Sequence, residues 1–360
     1  MSDWPDERIL DLFGIEVPIV QAPMAGTGTA QLAIAVSEAG GLGSLPCGQM
    51  TVTQAREVME TIRRGTSRSI NVNFFCHKPP PADDARLSAW RAQLASYCAQ
   101  LGVDGTAATP ATSRRPFDAE YCTVVEDYKP QVVSFHFGLP ERSLLERVKA
   151  TGAKVISSAT TVEEARWLED HGCEAIIAMG LEAGGHRGNF LTDNMARQIG
   201  TFALVPQVAD AVRVPVIAAG GIADARGIVA ALALGAAAVQ IGTAYLFCPE
   251  AGVSAAYLQA LRNAADDDTM ITNVFTGRPA RGIVNRLMVE LGPISSVTPA
   301  FPLAAGALTP LRTRAEQSGS RDFTHMWSGQ AARLARELPA AELTRLLASE
   351  ALGKLGRANS

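Results

Sequence analysis

The chain has 360 residues, 47% of them hydrophobic and 19% charged, with a net charge of −4. A large core is available, and there is no positive field to recruit nucleic acid or an anionic membrane. The N-terminus, MSDWPDERIL, is acidic and polar and does not read as a signal peptide. No apolar run reaches the length of a membrane span, because Gly220, Gly221, Asp224 and Arg226 interrupt the segment 214–243. Six cysteines (47, 76, 98, 122, 173 and 248) are scattered without CxxC or metal-ligand spacing. Reduced thiols in the cytoplasm, and no metal site, are the expectation.

The first strand is expected at Val17–Ala22, an apolar run closed by Pro23. PMAGTGT is a loop of small residues, and a helix over Ala30–Ala39 ends at Gly40 and Gly41. A short second strand, Gly41–Leu45, precedes a helix capped by Thr51 or Thr53, with Val58, Met59 and Ile62 on its buried face. The third strand is Ile70–Phe75, whose alternation puts Asn71 and Asn73 on one face. After it comes an insertion, about 77–130, with two helical segments to about Leu101 and a polar stretch over 103–118.

The pattern then becomes regular. Strands are expected at Gln131–Phe135, Lys154–Ser157, Ala175–Met179, Val214–Ala219 and Ala237–Ile241. Helices are expected at about 140–150, from a capping box of Thr160 or Thr161 with Glu163 or Glu164, at 201–212 and at 225–234. Eight strands, each followed by a helix or helix-bearing segment over about 250 residues, match a (β/α)8 TIM barrel. A doubly wound sheet is the alternative, but no G-x-G-x-x-G follows the first strand. The division expected is a barrel over 1–254 and a mainly helical extension over 255–360, with helices at 254–264, 308–318 and 330–353. That extension would cover the barrel mouth or form a homodimer face.

In such a barrel the site lies at the C-terminal strand ends, with a phosphate at the loops after strands seven and eight. Those ends carry Gly220-Gly221 and Gln240-Ile241-Gly242-Thr243, able to aim backbone amides and a hydroxyl at one phosphate. Ala22, Pro23 and Met24 suit a flat ring, and Asn73 can donate to and accept from a heterocycle edge. Strand six feeds EAGGHRG, where glycines Gly184 and Gly185 let the backbone approach a ligand and His186 offers an imidazole for proton transfer. His136 and Ser158 end strands four and five. Together these favour a flat, phosphate-bearing cofactor of FMN size. His77, His171 and His325 read as surface or structural residues, and Arg278 and Arg281 as members of a solvated loop.

QAPMAG (21–26), NVNFF (71–75), SFHFGLP (134–140), EAGGHRG (182–188), AAGGIAD (218–224), QIGTAYL (240–246), TGRPARG (276–282) and MWSGQ (326–330) occur in order along the chain. This set resembles the nitronate monooxygenase family, formerly called 2-nitropropane dioxygenase. The resemblance implies a barrel holding FMN non-covalently, contacted at Ala22 to Met24, Asn73, Gly184, Gly221 and Gln240 to Thr243, with His186 as base. It implies a nitronate or nitroalkane substrate, O2 as co-substrate, and a carbonyl compound and nitrite as products. Position 179 departs from the family: a glutamine is usual there, and Met179 packs against a flavin instead of hydrogen-bonding it. Sister groups on the same scaffold are flavin-dependent enoyl-ACP reductases and quinone reductases, which use NAD(P)H. Arg187 after the loop histidine resembles the monooxygenase branch; it could position an anionic substrate or pair with Glu182. A non-catalytic flavin-binding barrel is the third possibility.

Overall fold

A computed structural model describes residues 3–105 and 114–358. Eight parallel strands make the barrel: β1 (Ile19–Gln21), β2 (Gly43–Pro46), β3 (Ile70–Phe75), β4 (Val132–His136), β5 (Lys154–Ala159), β6 (Ala175–Met179), β8 (Val216–Ala219) and β9 (Ala238–Ile241). Strand β7 (Gly185–His186) lies outside it. The barrel order is β1-β9-β8-β6-β5-β4-β3-β2. Leu42 closes the ring: its carbonyl accepts from Gln21 N–H at 2.9 Å and its own N–H donates to the Ile19 carbonyl at 2.9 Å. The strand interiors are almost wholly buried, as near-continuous Val/Ile/Ala runs in a parallel sheet should be.

The expected strand ends shift for local reasons. β1 begins only at Ile19, since Pro18 has no N–H to pair. β2 begins at Gly43 because Gly41 N–H is spent on the Val36 carbonyl, closing the preceding helix. β4 and β5 run on to include His136 and Ser158. Thr51 caps the helix Val52–Gly65 in a full capping box with Gln54. Thr161 caps Val162–Asp170, but Glu164 reaches back to Thr160, bonding its N–H at 2.7 Å and its hydroxyl at 2.8 Å.

The insertion after β3 holds one unbroken helix of 18 residues, Asp84–Leu101, where two were expected, and a second helix, Ala119–Tyr128. Most of the polar stretch 103–118 lies outside the described residues. The C-terminal third is less uniformly helical than its sequence suggests. It contributes β10 (Thr269–Thr272) and β11 (Ala280–Ile283), which form an antiparallel sheet in the order β10-β11-β7. The last helix, Ala340–Ala358, packs against Ala30–Glu38 and Ala225–Ala233, the helices following β1 and β8. It therefore occupies the place of the eighth barrel helix. Leu343, Leu347 and Ala351, one turn apart, are its fully buried stripe, and Thr344 meets the buried Tyr245 hydroxyl at 2.8 Å. Among the described residues no helix is long and apolar enough to cross a membrane.

Candidate active site

The C-terminal strand ends open into a cavity of about 650 Å³. Its lining includes Ala22, Pro23, Met24, Asn73, His136, Ser158, Met179, Gly184, Gly185, His186, Gly220, Gly221, Gln240, Gly242 and Thr243. One residue named from the sequence is not on the wall. Ile241 is fully buried in the barrel core, and its carbonyl accepts from Ala22 N–H at 2.8 Å. Alternation along β9 turns its side chain away while Gln240 and Gly242 face the cavity.

The loop after β6 is not a free turn. Glu182 folds back so that its carboxylate accepts from Thr201 N–H at 2.8 Å and Thr201 Oγ1 at 2.8 Å, satisfying the start of the helix Thr201–Ala211. Gly180 must be glycine here, since a Cβ would lie 1.9 Å from Thr201 Oγ1. The MWSGQ segment presses on the other side: Gln330 N–H donates to the Glu182 carbonyl at 3.1 Å, and a Cβ on Gly184 would meet Gly329 N at 2.5 Å. Then the chain becomes β7, with Gly185 opposite Arg281 and His186 opposite Ala280. An antiparallel flap thus presents the imidazole, where the sequence suggested only a glycine-rich loop.

Arg187 is fully buried. Its Nη1 donates to the Gly180 carbonyl at 2.7 Å, Nη2 to the Met179 carbonyl at 2.8 Å and Nε to Gln198 Oε1 at 2.9 Å. It neither reaches the cavity nor bonds Glu182. It clamps the end of β6 to the flap. Burial lowers its pKa to about 10, which still leaves it charged. Arg278 and Arg281 are not solvated either. The Arg278 guanidinium lies 4.0 Å from the Phe137 ring centroid and donates to the Asn189 carbonyl. Arg281 is buried, with Nε on the Leu181 carbonyl at 3.0 Å.

His186 Nε2 lies 2.9 Å from Thr276 Oγ1, inside a wall of Phe75, Phe137, Phe301 and Trp327. Burial, with Arg114, His136, Arg278 and His325 nearby, holds its pKa well below the ordinary imidazole value, so the ring is neutral at pH 7. His136 has both nitrogens engaged: Nδ1 with Ser158 Oγ at 3.1 Å and Nε2 with the His186 carbonyl at 3.1 Å. Expected as a substrate ligand, it has no ring nitrogen left to offer. It lines the wall with carbon and steadies the His186 backbone; burial lowers its pKa to about 4. His325, expected to be a surface or structural residue, also lines the cavity, with a pKa lowered by burial to about 3. His171 stacks on Trp167 at the surface, and His77 is buried beside Phe301.

Asn73 donates from Nδ2 to Ser134 Oγ at 2.9 Å, and Ser134 joins the wall two residues before His136. That spacing of two was available as a signal. Thr276, Trp327, Arg114 and Arg312 were not identified individually; the first two sit inside quoted motifs, but nothing local says they meet His186.

A barrel whose cavity wall carries paired glycine loops and a half-buried, neutral imidazole defines a cofactor-type α/β barrel enzyme. The family model described as nitronate monooxygenase matches residues 6–350. A nitronate monooxygenase of Pseudomonas aeruginosa is 43% identical over 353 residues, covering 96% of this chain and 99% of that one. Another, of Paraburkholderia phytofirmans, is 42% identical, covering 97% and 96%. Among solved structures, nitroalkane oxidase from Streptomyces ansochromogenes superposes with a TM-score of 0.89 at 39% identity, covering 98% and 99%. FabK from Thermotoga maritima gives 0.74 at 30% identity, covering 98% of each chain. The chain belongs to the nitronate monooxygenase family and is an oxidoreductase of the (β/α)8 barrel class.

Proposed function

We propose that the chain is an FMN-dependent enzyme that oxidises alkyl nitronates with O2 to carbonyl compounds and nitrite, using His186 to deprotonate the neutral nitroalkane form. The cavity residues suit FMN. Gln240 Oε1 is buried and has no protein partner, an acceptor suited to an N–H of a flat heterocycle. Gly220, Gly221 and Gly242 bring backbone to the wall for the phosphate. Thr243 Oγ1 accepts from Gly329 N–H at 2.9 Å, which leaves its proton to donate. Ala22, Pro23, Met24 and Met179 offer apolar contact, while Asn73, Ser158, Gly184 and Gly185 complete the surround. When bound, FMN supplies the electron acceptance and the transfer of electrons to O2 that nitronate oxidation requires.

The protein's own part is proton transfer and orientation. His186 is neutral at pH 7 and so already in the base form. The aromatic wall excludes water around it. Arg114 on the lining and Arg278 behind Phe137 make the region positive, which favours an anionic nitronate over its neutral parent. His186 on the cavity wall, its Nε2 held by Thr276 and its ring surrounded by Phe75, Phe137, Phe301 and Trp327, is the observation that carries this reading.

The test is His186→Asn, assayed with neutral nitroalkane and with preformed nitronate. A loss of about 10²- to 10⁴-fold on the nitroalkane, and far less on the nitronate, is expected for a general base. Equal losses would remove the base role. The alternative on this scaffold, an NAD(P)H-dependent reductase, is separated by anaerobic mixing. Flavin bleaching by NADH or NADPH alone would overturn the oxygenase reading, whereas bleaching by nitronate alone supports it.

A further inference from the structure

We infer that Thr276 fixes the tautomer of His186, so that Nδ1 is the nitrogen that receives the substrate proton. The inference rests on His186 being the base, as proposed above. It begins with the hydrogen-bond capacity of one hydroxyl. Thr276 is buried, and its Oγ1 has three neighbours: His186 Nε2 at 2.9 Å, the Arg278 carbonyl at 3.3 Å and Arg278 N–H at 3.4 Å. A hydroxyl has one proton to give and two lone pairs. The carbonyl can only accept, so the proton goes there. The Arg278 N–H takes one lone pair. The remaining lone pair then faces Nε2 of His186 at 2.9 Å, which in this arrangement carries the proton. With the proton on Nε2, a neutral imidazole carries its basic pair on Nδ1.

The surroundings hold this arrangement in place. Gly277, at φ +90°, turns the chain directly after Thr276, and its N–H donates to the Asn273 carbonyl at 2.8 Å. Arg187 N–H donates to the Pro279 carbonyl at 2.9 Å, tying this turn to the residue after His186. From the other side His136 engages the His186 carbonyl. The ring is therefore oriented by Thr276 and its backbone by His136. In the proton transfer the substrate α-C–H bond breaks and its electron pair stays on the substrate, delocalised into the nitro group. A new N–H bond forms at Nδ1. The imidazolium so formed has N–H on both nitrogens, and its Nε2–H···Oγ1 bond becomes charge-assisted, stabilised in turn by the Arg278 carbonyl. Thr276 acts through His186, as a positioning residue.

The test reads the tautomer directly and the kinetics separately. In flavin-loaded protein with 15N-labelled histidine, the His186 signals are assigned by their absence from His186→Asn. Wild type should show a protonated Nε2 and a pyridine-like Nδ1 at neutral pH. Thr276→Val keeps the shape but loses the acceptor; it should shift His186 toward the other tautomer and lower kcat on neutral nitroalkane about 10- to 100-fold, with KM changed far less. Preformed nitronate, which needs no deprotonation, should lose much less. Thr276→Ser should restore both spectrum and rate. A protonated Nδ1 in wild type, or an unchanged tautomer in Thr276→Val, would overturn the inference. If Thr276→Val does not fold, the wild-type and Thr276→Ser spectra still decide it. If His186→Asn costs nothing on nitroalkane, the base reading fails, while the spectra still report on Thr276.

Discussion

Two sides of the cavity are built in different ways. One side of the cavity, the one proposed above to hold the cofactor, is made by the loops after β1, β8 and β9, each a direct continuation of its own strand. The other side, around His186, is held by β7, β10, β11 and the 326–330 segment, which come together from across about 140 residues of chain. The first side depends on backbone shape, through glycines and a few small side chains. The second depends on side chains held by long-range hydrogen bonds. A barrel can thus keep one cofactor cradle while the flap above it sets the chemistry.

Breaking the clamp between the end of β6 and the flap should have the largest effect. Arg187→Met leaves the Met179 and Gly180 carbonyls and Gln198 without their charged donor. A loss of about 3 kcal/mol is expected, seen as a lower midpoint in urea unfolding, with nitronate turnover falling more than flavin affinity. An equal fall in both would mean that the two sides are not separable.

Gly220→Ala acts first on the side proposed to hold the cofactor. Gly220 has φ +111°, and a Cβ would lie 2.8 Å from Thr201 Oγ1. Strain of about 1–3 kcal/mol is expected, with weaker FMN binding in a fluorescence titration. The His186 tautomer should be unchanged in the same variant.

A separate effect, read on stability against pH, comes from two inward-facing histidines. His136 and His325 have pKa values lowered by burial to about 4 and about 3. The native state holds them neutral, while the unfolded chain protonates them near pH 6.5. Their contribution to stability is complete above about pH 6.5 and falls as the pH drops toward 4, because the unfolded state then binds more protons. Thermal unfolding between pH 7 and 5 should show this fall, and replacing His136 by a non-titrating residue should make it shallower, with His325 keeping its share.

Much of the barrel was legible in the sequence because each βα unit carries its own signals. An aliphatic run, a glycine or capping residue and an amphipathic helix all lie within about thirty residues. β3 and β6 match their expected spans, and the small residues at the strand ends fall on the cavity wall where alternation puts them. Ile241 was the exception, since a motif read as a block ignores the side-to-side alternation of a strand. The flap was not legible. β7 is two residues long, too short for any periodicity, and its pairing with β11 spans almost a hundred residues. The packing of half-buried Arg278 and the burial of Arg281 were equally hidden, because a charged residue in a Gly/Pro-rich stretch looks solvated until a distant surface covers it.

The sequence by itself determined the repeating α/β architecture, the order of the strand-end motifs and the presence of one imidazole among glycines. Local periodicity and backbone chemistry are written in neighbouring residues. Only the tertiary structure decided that the last helix returns to complete the barrel and that Arg187 is a buried clamp. It also decided that His136 spends both nitrogens on the protein and that Thr276 meets His186. Each of these is a contact that only the packed chain makes, and it exists only when burial makes an unpaired polar group costly enough to require a partner.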